Sequence, residues 1–241
     1  MSHLSGKIAL VTGSAKNLGK AIAINLANQK MSVAIHYHQS KNEAGQTLHQ
    51  ISQYSQAAVF RADLTDEIQV ARMINRINKK LGTVDILINT IGNFIYQSID
   101  KTDFARFRSV IESNLYSAFL CCQAVLPEMK RKKWGRIINF GSVSAETLTV
   151  RKNTTPYYIA KTGVIMLTKV LAYEYAGYNI TVNSVSPGIL KTSTVKTDLP
   201  ARRFADFSDI INALNFLLKE ESGYINGANL EVSGAWRPGF I

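Results

Sequence analysis

The chain has 241 residues, 46% of them hydrophobic and 19% charged, which suits one globular α/β domain with a substantial core. No apolar stretch approaches the roughly 18 residues of a membrane span, and the only cysteines, Cys121 and Cys122, are neighbours in an expected helix, which argues against a disulfide and for a reducing compartment. With 28 Lys and Arg against 17 Asp and Glu, the formal charge of +11 suits an anionic cofactor or substrate, nucleic acid, or plain solubility.

The N-terminus runs straight into an apolar strand without a signal-peptide layout, so a cytoplasmic location is expected. Apolar runs rich in Val and Ile recur at Ile8–Val11, Val33–Ile35, Ala57–Phe60, Val84–Ile88, Arg136–Phe140, Thr181–Val185 and Asn229–Val232. Each is short and nearly continuous, as strands of a parallel sheet covered on both faces are. Helical spacing fills the intervals Leu18–Gln29, Lys41–Ser52, Asp66–Lys80, Phe104–Arg131, Tyr157–Tyr175 and Ser208–Leu218. This alternation predicts a doubly wound, Rossmann-type parallel sheet of about seven strands with helices on both faces. No linker interrupts it, so residues 1–241 are read as one domain. A less regular loop at about 189–207 follows Pro187-Gly188, where ligands bind in such sheets.

The first strand runs into Thr12-Gly13-Ser14-Ala15-Lys16-Asn17-Leu18-Gly19. A glycine turn before a helix presents backbone N–H groups to a pyrophosphate. Asn17 stands where glycine is usual, and Asn tolerates positive φ well. A plain strand–helix turn is the alternative. The second strand ends in His36-Tyr37-His38-Gln39-Ser40-Lys41. A carboxylate here would hold a ribose hydroxyl and select NAD; none occurs between Lys30 and Asn42. His38, Ser40 and Lys41, with Lys16, suit a 2′-phosphate, so NADP(H) is expected. Asp63, beside Leu64, suits an adenine amino group or caps the next helix. Asn89 is placed to tie backbone groups in the sheet, and Gly92 to let the chain approach a cofactor.

Further along, Lys130-Arg131-Lys132-Lys133 closes a helix, where basic residues complement the dipole. No metal-ligand spacing or RNA-binding aromatic motif accompanies it, so neither metal nor nucleic acid is expected. Tyr157 and Lys161 stand one helical turn apart on one face, fifteen residues after Ser142. An ammonium beside a phenol stabilises the phenolate, so Lys161 is expected to lower the Tyr157 pKa.

In this order and spacing, the Thr12–Gly19 turn, Asp63, Asn89-x-x-Gly92, Asn114, Ser142, Tyr157-x-x-x-Lys161 and Pro187-Gly188 resemble the short-chain dehydrogenase/reductase family over nearly the whole chain. The resemblance implies Tyr157 as proton donor in carbonyl reduction and Ser142 as partner of the substrate oxygen. It implies Lys161 on the nicotinamide ribose, Asn114 holding a relay water, and the Ile189 backbone and Thr192 at the carboxamide. The family's homo-oligomers, tetramers or dimers, imply contacts through Phe104–Arg131 and Tyr157–Tyr175.

The chain departs from the family at Asn17, at Asn-Thr-Ile-Gly for Asn-Asn-Ala-Gly, and at Val232-Ser233-Gly234-Ala235. The Ser142–Tyr157 interval is about two residues longer than common in the family, which leaves Ser144 as an alternative to Ser142. The Thr192–Pro200 segment is short for a substrate lid. The cofactor half resembles pteridine reductases, with Phe94 as a stacking face, although those usually carry Asp at the Ser142 position. The full tetrad and basic surface resemble 3-oxoacyl-acyl-carrier-protein reductases, with Arg202, Arg203 or Lys130–Lys133 as a patch for an acidic carrier. An NADP(H)-binding sensor or scaffold without turnover is the non-enzymatic alternative.

Overall fold

A computed structural model describes residues 4–193 and 197–238. Among the described residues seven parallel strands form one sheet: β1 (Ile8–Val11), β2 (Ser32–Tyr37), β3 (Ala57–Arg61), β4 (Ile86–Asn89), β5 (Gly135–Phe140), β6 (Ile180–Pro187) and β7 (Asn229–Val232). Their order is β3-β2-β1-β4-β5-β6-β7. The order reverses between β1 and β4, which leaves a crevice at their carboxyl ends.

The helices are α1 (Asn17–Asn28), α2 (Lys41–Ile51), α3 (Glu67–Lys80), α4 (Phe104–Ile111), α5 (Ser117–Lys132), α6 (Thr155–Tyr175) and α7 (Phe207–Leu217). They bury the sheet from both sides. Ala9 and Val11 of β1 pack into one core with Ile22 and Leu26 of α1 and Leu214 of α7. Ile8 and Leu10 pack into the other with Met73 of α3, Val125 of α5 and Leu171 of α6. The period-2 alternation of strand side chains thus feeds two cores, which explains the unbroken apolar runs.

The expected helix over Phe104–Arg131 is broken by a π-turn at Glu112–Tyr116. Two side chains claim carbonyls that the helix would otherwise use. Asn114 Nδ2 donates to the Val110 carbonyl at 2.9 Å, and Ser117 Oγ donates to that of Ser113 at 2.6 Å. The Ser117 N–H consequently reaches back to Glu112. Such bulges re-aim a side chain, here Asn114.

Candidate active site

Two adjoining cavities occupy the carboxyl edge of the sheet. One, of about 550 Å³, is lined by Gly13, Lys16, His38, Ser40, Asp63 and Leu64, among others. The second, of about 540 Å³, is lined on one side by Asn17, Leu18, Gly92, Pro187, Gly188, Ile189 and Thr192. Phe94, Ser142, Arg151, Tyr157, Lys161 and Trp236 close its other side. They meet at the first turn of α1.

That turn suits an anion. Gly13 takes φ 63° and Asn17 φ 51°, so the sequence departure at Asn17 is absorbed by a residue that tolerates the left-handed region. A Cβ on Gly19 would collide with the Gly13 carbonyl, so helix and turn touch only because Gly19 is bare. No side chain caps α1 and its first turn holds no acidic residue, so its N-terminal N–H groups remain for a ligand.

Several expected binding residues are used internally instead. Ser14 is fully buried; its hydroxyl donates to Val11 O and accepts from His36 N, which stitches the turn to β2. Asn89 Nδ2 donates to Asn139 Oδ1 at 2.9 Å, so its side chain ties β4 to β5 through another side chain rather than through a backbone group. Asn139 in turn donates to Thr168 of α6. Lys41 lines a separate shallow groove with Lys20 and Asn42, because it opens α2 on the outer side. Gly92 serves a neighbour: a Cβ there would occupy the place of the Asn114 carboxamide. Asp63 lines the first cavity, accepts from Thr65 N and Oγ, and stands 3.9 Å from His38 Nε2. The Thr65 backbone bond holds its carboxyl below the usual range.

Sequence reading missed His36. Its imidazole is fully buried, accepts the Gly13 N–H on Nδ1 at 3.0 Å and donates from Nε2 to Ala62 O at 3.1 Å. Burial pushes its pKa down to about 4, so the ring is neutral and fixes the glycine turn. Its position inside Val-Ala-Ile-His, a hydrophobic strand, was the available signal.

In the second cavity, α6 presents Tyr157 and Lys161 together, with Lys161 Nζ 5.6 Å from the Tyr157 ring centroid. Lys161 is buried and donates to Phe140 O at 2.7 Å. Burial lowers its pKa to about 8. The Tyr157 phenol is shifted upward, against the expected direction, and Lys161 is not among the groups that shift it. Burial pushes its phenol up to about 12; the Ser142 hydroxyl, which donates to it, and the Arg151 charge pull in the other direction and lose. Phe94 meets the Tyr157 ring edge-on at 5.0 Å. Ser142 shares this cavity, whereas Ser144 lines a different depression with Glu146 and Glu231. Asn114 Nδ2 also donates to Asn93 O at 2.9 Å, while its buried Oδ1 is left without a partner.

The basic residues expected to meet an acidic carrier are divided between two edges of the molecule. Lys130–Lys133 closes α5, which leads into the amino end of β5, opposite the cavities. Lys132 pairs with Asp85 at 2.8 Å, Arg131 with Glu128 at 2.7 Å, and Lys130 lies over Tyr178. Arg203 is paired with Asp209 at 2.6 Å. Exposed Arg202 remains. Of the short loop, residues 194–196 lie outside the described residues.

Residues 7–203 match the family model described as short chain dehydrogenase. The chain belongs to that family of oxidoreductases. It is 32% identical over 240 residues to the 3-oxoacyl-[acyl-carrier-protein] reductase FabG of Staphylococcus epidermidis, covering 95% of this chain and 98% of that one. It is 34% identical over 241 residues to the acetoacetyl-CoA reductase of Allochromatium vinosum, covering 95% and 97%. A crystal structure from Sinorhizobium meliloti, provisionally described as a short-chain alcohol dehydrogenase, superposes with a TM-score of 0.89 at 29% identity over 96% of each chain.

Proposed function

We propose that the chain is a cytoplasmic, single-domain reductase that uses NADPH to reduce a carbonyl group of a 3-oxoacyl compound. The observation that carries this reading is the joint placement of Ser142, Tyr157 and Lys161 in one cavity that opens beside the first turn of α1. The residues fit a dinucleotide phosphate. The uncapped α1 terminus receives the pyrophosphate, Lys16, His38 and Ser40 rim the ribose end, and Asp63 with Leu64 borders the adenine. A reduced nicotinamide held along Pro187–Thr192 supplies the hydride.

Ser142 and Tyr157 hold the carbonyl oxygen between two O–H donors. Tyr157 gives its proton to that oxygen as the carbonyl carbon gains hydride. A phenol with its pKa near 12 is protonated at neutral pH, as a proton donor must be before the carbonyl oxygen gains charge. Lys161, still an ammonium below about 8, is placed to bind ribose hydroxyls and to return a proton to Tyr157. The unpartnered Asn114 Oδ1 is an acceptor for a water on that route.

The 3-oxoacyl class is favoured by the two relatives, a 3-oxoacyl-[acyl-carrier-protein] reductase and an acetoacetyl-CoA reductase. Exposed Tyr116 and Phe119 on the π-turn and α5, with Met166, Val170 and Tyr173 on α6, suit a homo-oligomeric contact through these helices. NADPH consumption with an acetoacetyl thioester and a dihydropterin, with NADH as control, tests the reading. Thioester turnover with NADPH is expected. Turnover of the pterin alone would reassign the substrate, and NADPH binding without turnover of any carbonyl would leave only the sensor role.

A further inference from the structure

The loop joining β5 to α6 carries a cation that the reaction described above does not use. Arg151 is half-buried and lines the same cavity as Ser142 and Tyr157. Its guanidinium lies 5.2 Å over the Trp236 ring. The loop is pinned around it. Thr154 Oγ1 donates to the Arg151 carbonyl at 3.0 Å, Gln97 N donates to Asn153 O at 2.7 Å, and Tyr158 OH donates to Val143 O at 3.2 Å. The guanidinium is therefore presented by a fixed frame.

Among the described residues no Asp or Glu lines this cavity and Arg151 forms no ion pair. The other cation among the cavity's described lining residues, Lys161, donates to Phe140 O. A half-buried guanidinium without a carboxylate, stacked on an aromatic ring, leaves a planar fork of donors facing the cavity. Phe94 and Trp236 give the space apolar walls. An acyl chain with an uncharged tail would leave that fork unanswered.

We propose that the substrate carries a carboxylate as well as its reactive carbonyl, and that Arg151 binds it while Ser142 and Tyr157 hold the carbonyl oxygen. This rests on the carbonyl-reductase reading and narrows its substrate class to oxo acids or acyl chains that end in a carboxylate. The longer Ser142–Tyr157 interval acquires a purpose, since the loop it forms carries Arg151 to the cavity.

The test compares kcat/KM for acetoacetate and levulinate with that for their methyl esters, using NADPH, in the wild type and in Arg151→Gln and Arg151→Lys. The wild type should prefer an acid over its ester by roughly 10- to 100-fold, the worth of a charge-assisted hydrogen bond. Arg151→Gln should bring that ratio near unity through the acid's KM, at unchanged NADPH affinity, and Arg151→Lys should restore part of it. An ester reduced as well as its acid by the wild type would overturn the proposal. So would an Arg151→Gln enzyme that loses both substrates equally, which would make Arg151 a prop for Trp236. An acetoacetyl thioester run alongside separates the two levels. If it turns over while acid and ester are equal, only the carboxylate site fails; if no carbonyl compound turns over, the reductase reading fails and the carboxylate site with it.

Discussion

Replacing Lys161 with Met should make the protein more stable at neutral pH while abolishing its turnover. Lys161 is buried, and its pKa falls from 10.5 to about 8 because the folded interior disfavours the ammonium. At about 1.4 kcal/mol per pH unit, that difference costs the native state roughly 3 kcal/mol when the group is charged in both states. Met keeps the shape and removes the charge, but Phe140 O loses its donor, a loss of about 1 kcal/mol. A net gain of about 2 kcal/mol follows below pH 8. Above pH 8 the folded lysine sheds its proton while the unfolded one keeps it, so the wild type recovers stability as pH rises. By pH 10.5 the unfolded lysine has also lost half of its charge and the advantage of Lys161→Met is gone. Urea unfolding of both proteins across this window measures the difference directly. A variant less stable than wild type at pH 7, or a difference that does not change between pH 8 and 10.5, would refute the reasoning.

Three further outcomes are expected. His36, with its pKa lowered from 6.5 to about 4, should make the protein lose about 3 kcal/mol as pH falls from 6.5 to 4, because only the unfolded chain takes up the proton in that window; His36→Gln should flatten this slope in acid unfolding curves. Reductive turnover should decline as pH rises through about 8, when Lys161 loses the proton it returns to Tyr157, and a rate profile flat to pH 10 would remove Lys161 from the relay. Lys16→Glu should raise the Kd for NADPH at least tenfold more than that for NADH, as equilibrium fluorescence titration would show; equal weakening would remove Lys16 from the 2′-phosphate site.

The inner strands were legible because both faces of the sheet are buried there, which leaves continuous apolar runs such as Ile8–Val11 with no polar residue to blur their ends. The π-turn at Glu112–Tyr116 was not legible, since the apolar spacing continues across it and only the side-chain bonds of Asn114 and Ser117 to backbone carbonyls break the ladder. The grouping of Ser142, Tyr157 and Lys161 could be expected from spacing, but the direction of the Tyr157 shift could not. The upward shift comes from burial among residues of separate elements, which the Tyr157–Lys161 spacing does not report. Ser14 and Asn89 look like ligand-binding groups in a linear motif, yet each finds its partner on an adjacent strand. Arg151 carried no local signal except the extra length of the loop that holds it.

The most direct test of the central claim is single-turnover reduction by Tyr157→Phe, beside an NADPH titration of the same variant. The hydroxyl is the proposed proton donor, and Phe preserves the ring packed against Phe94. Reduction should fall by at least about a hundredfold, the lower range for a positioned acid, with NADPH binding within about twofold of wild type. Undiminished reduction in that variant would mean that the proton comes from elsewhere and that the Ser142–Tyr157–Lys161 cavity is not the site of the chemistry.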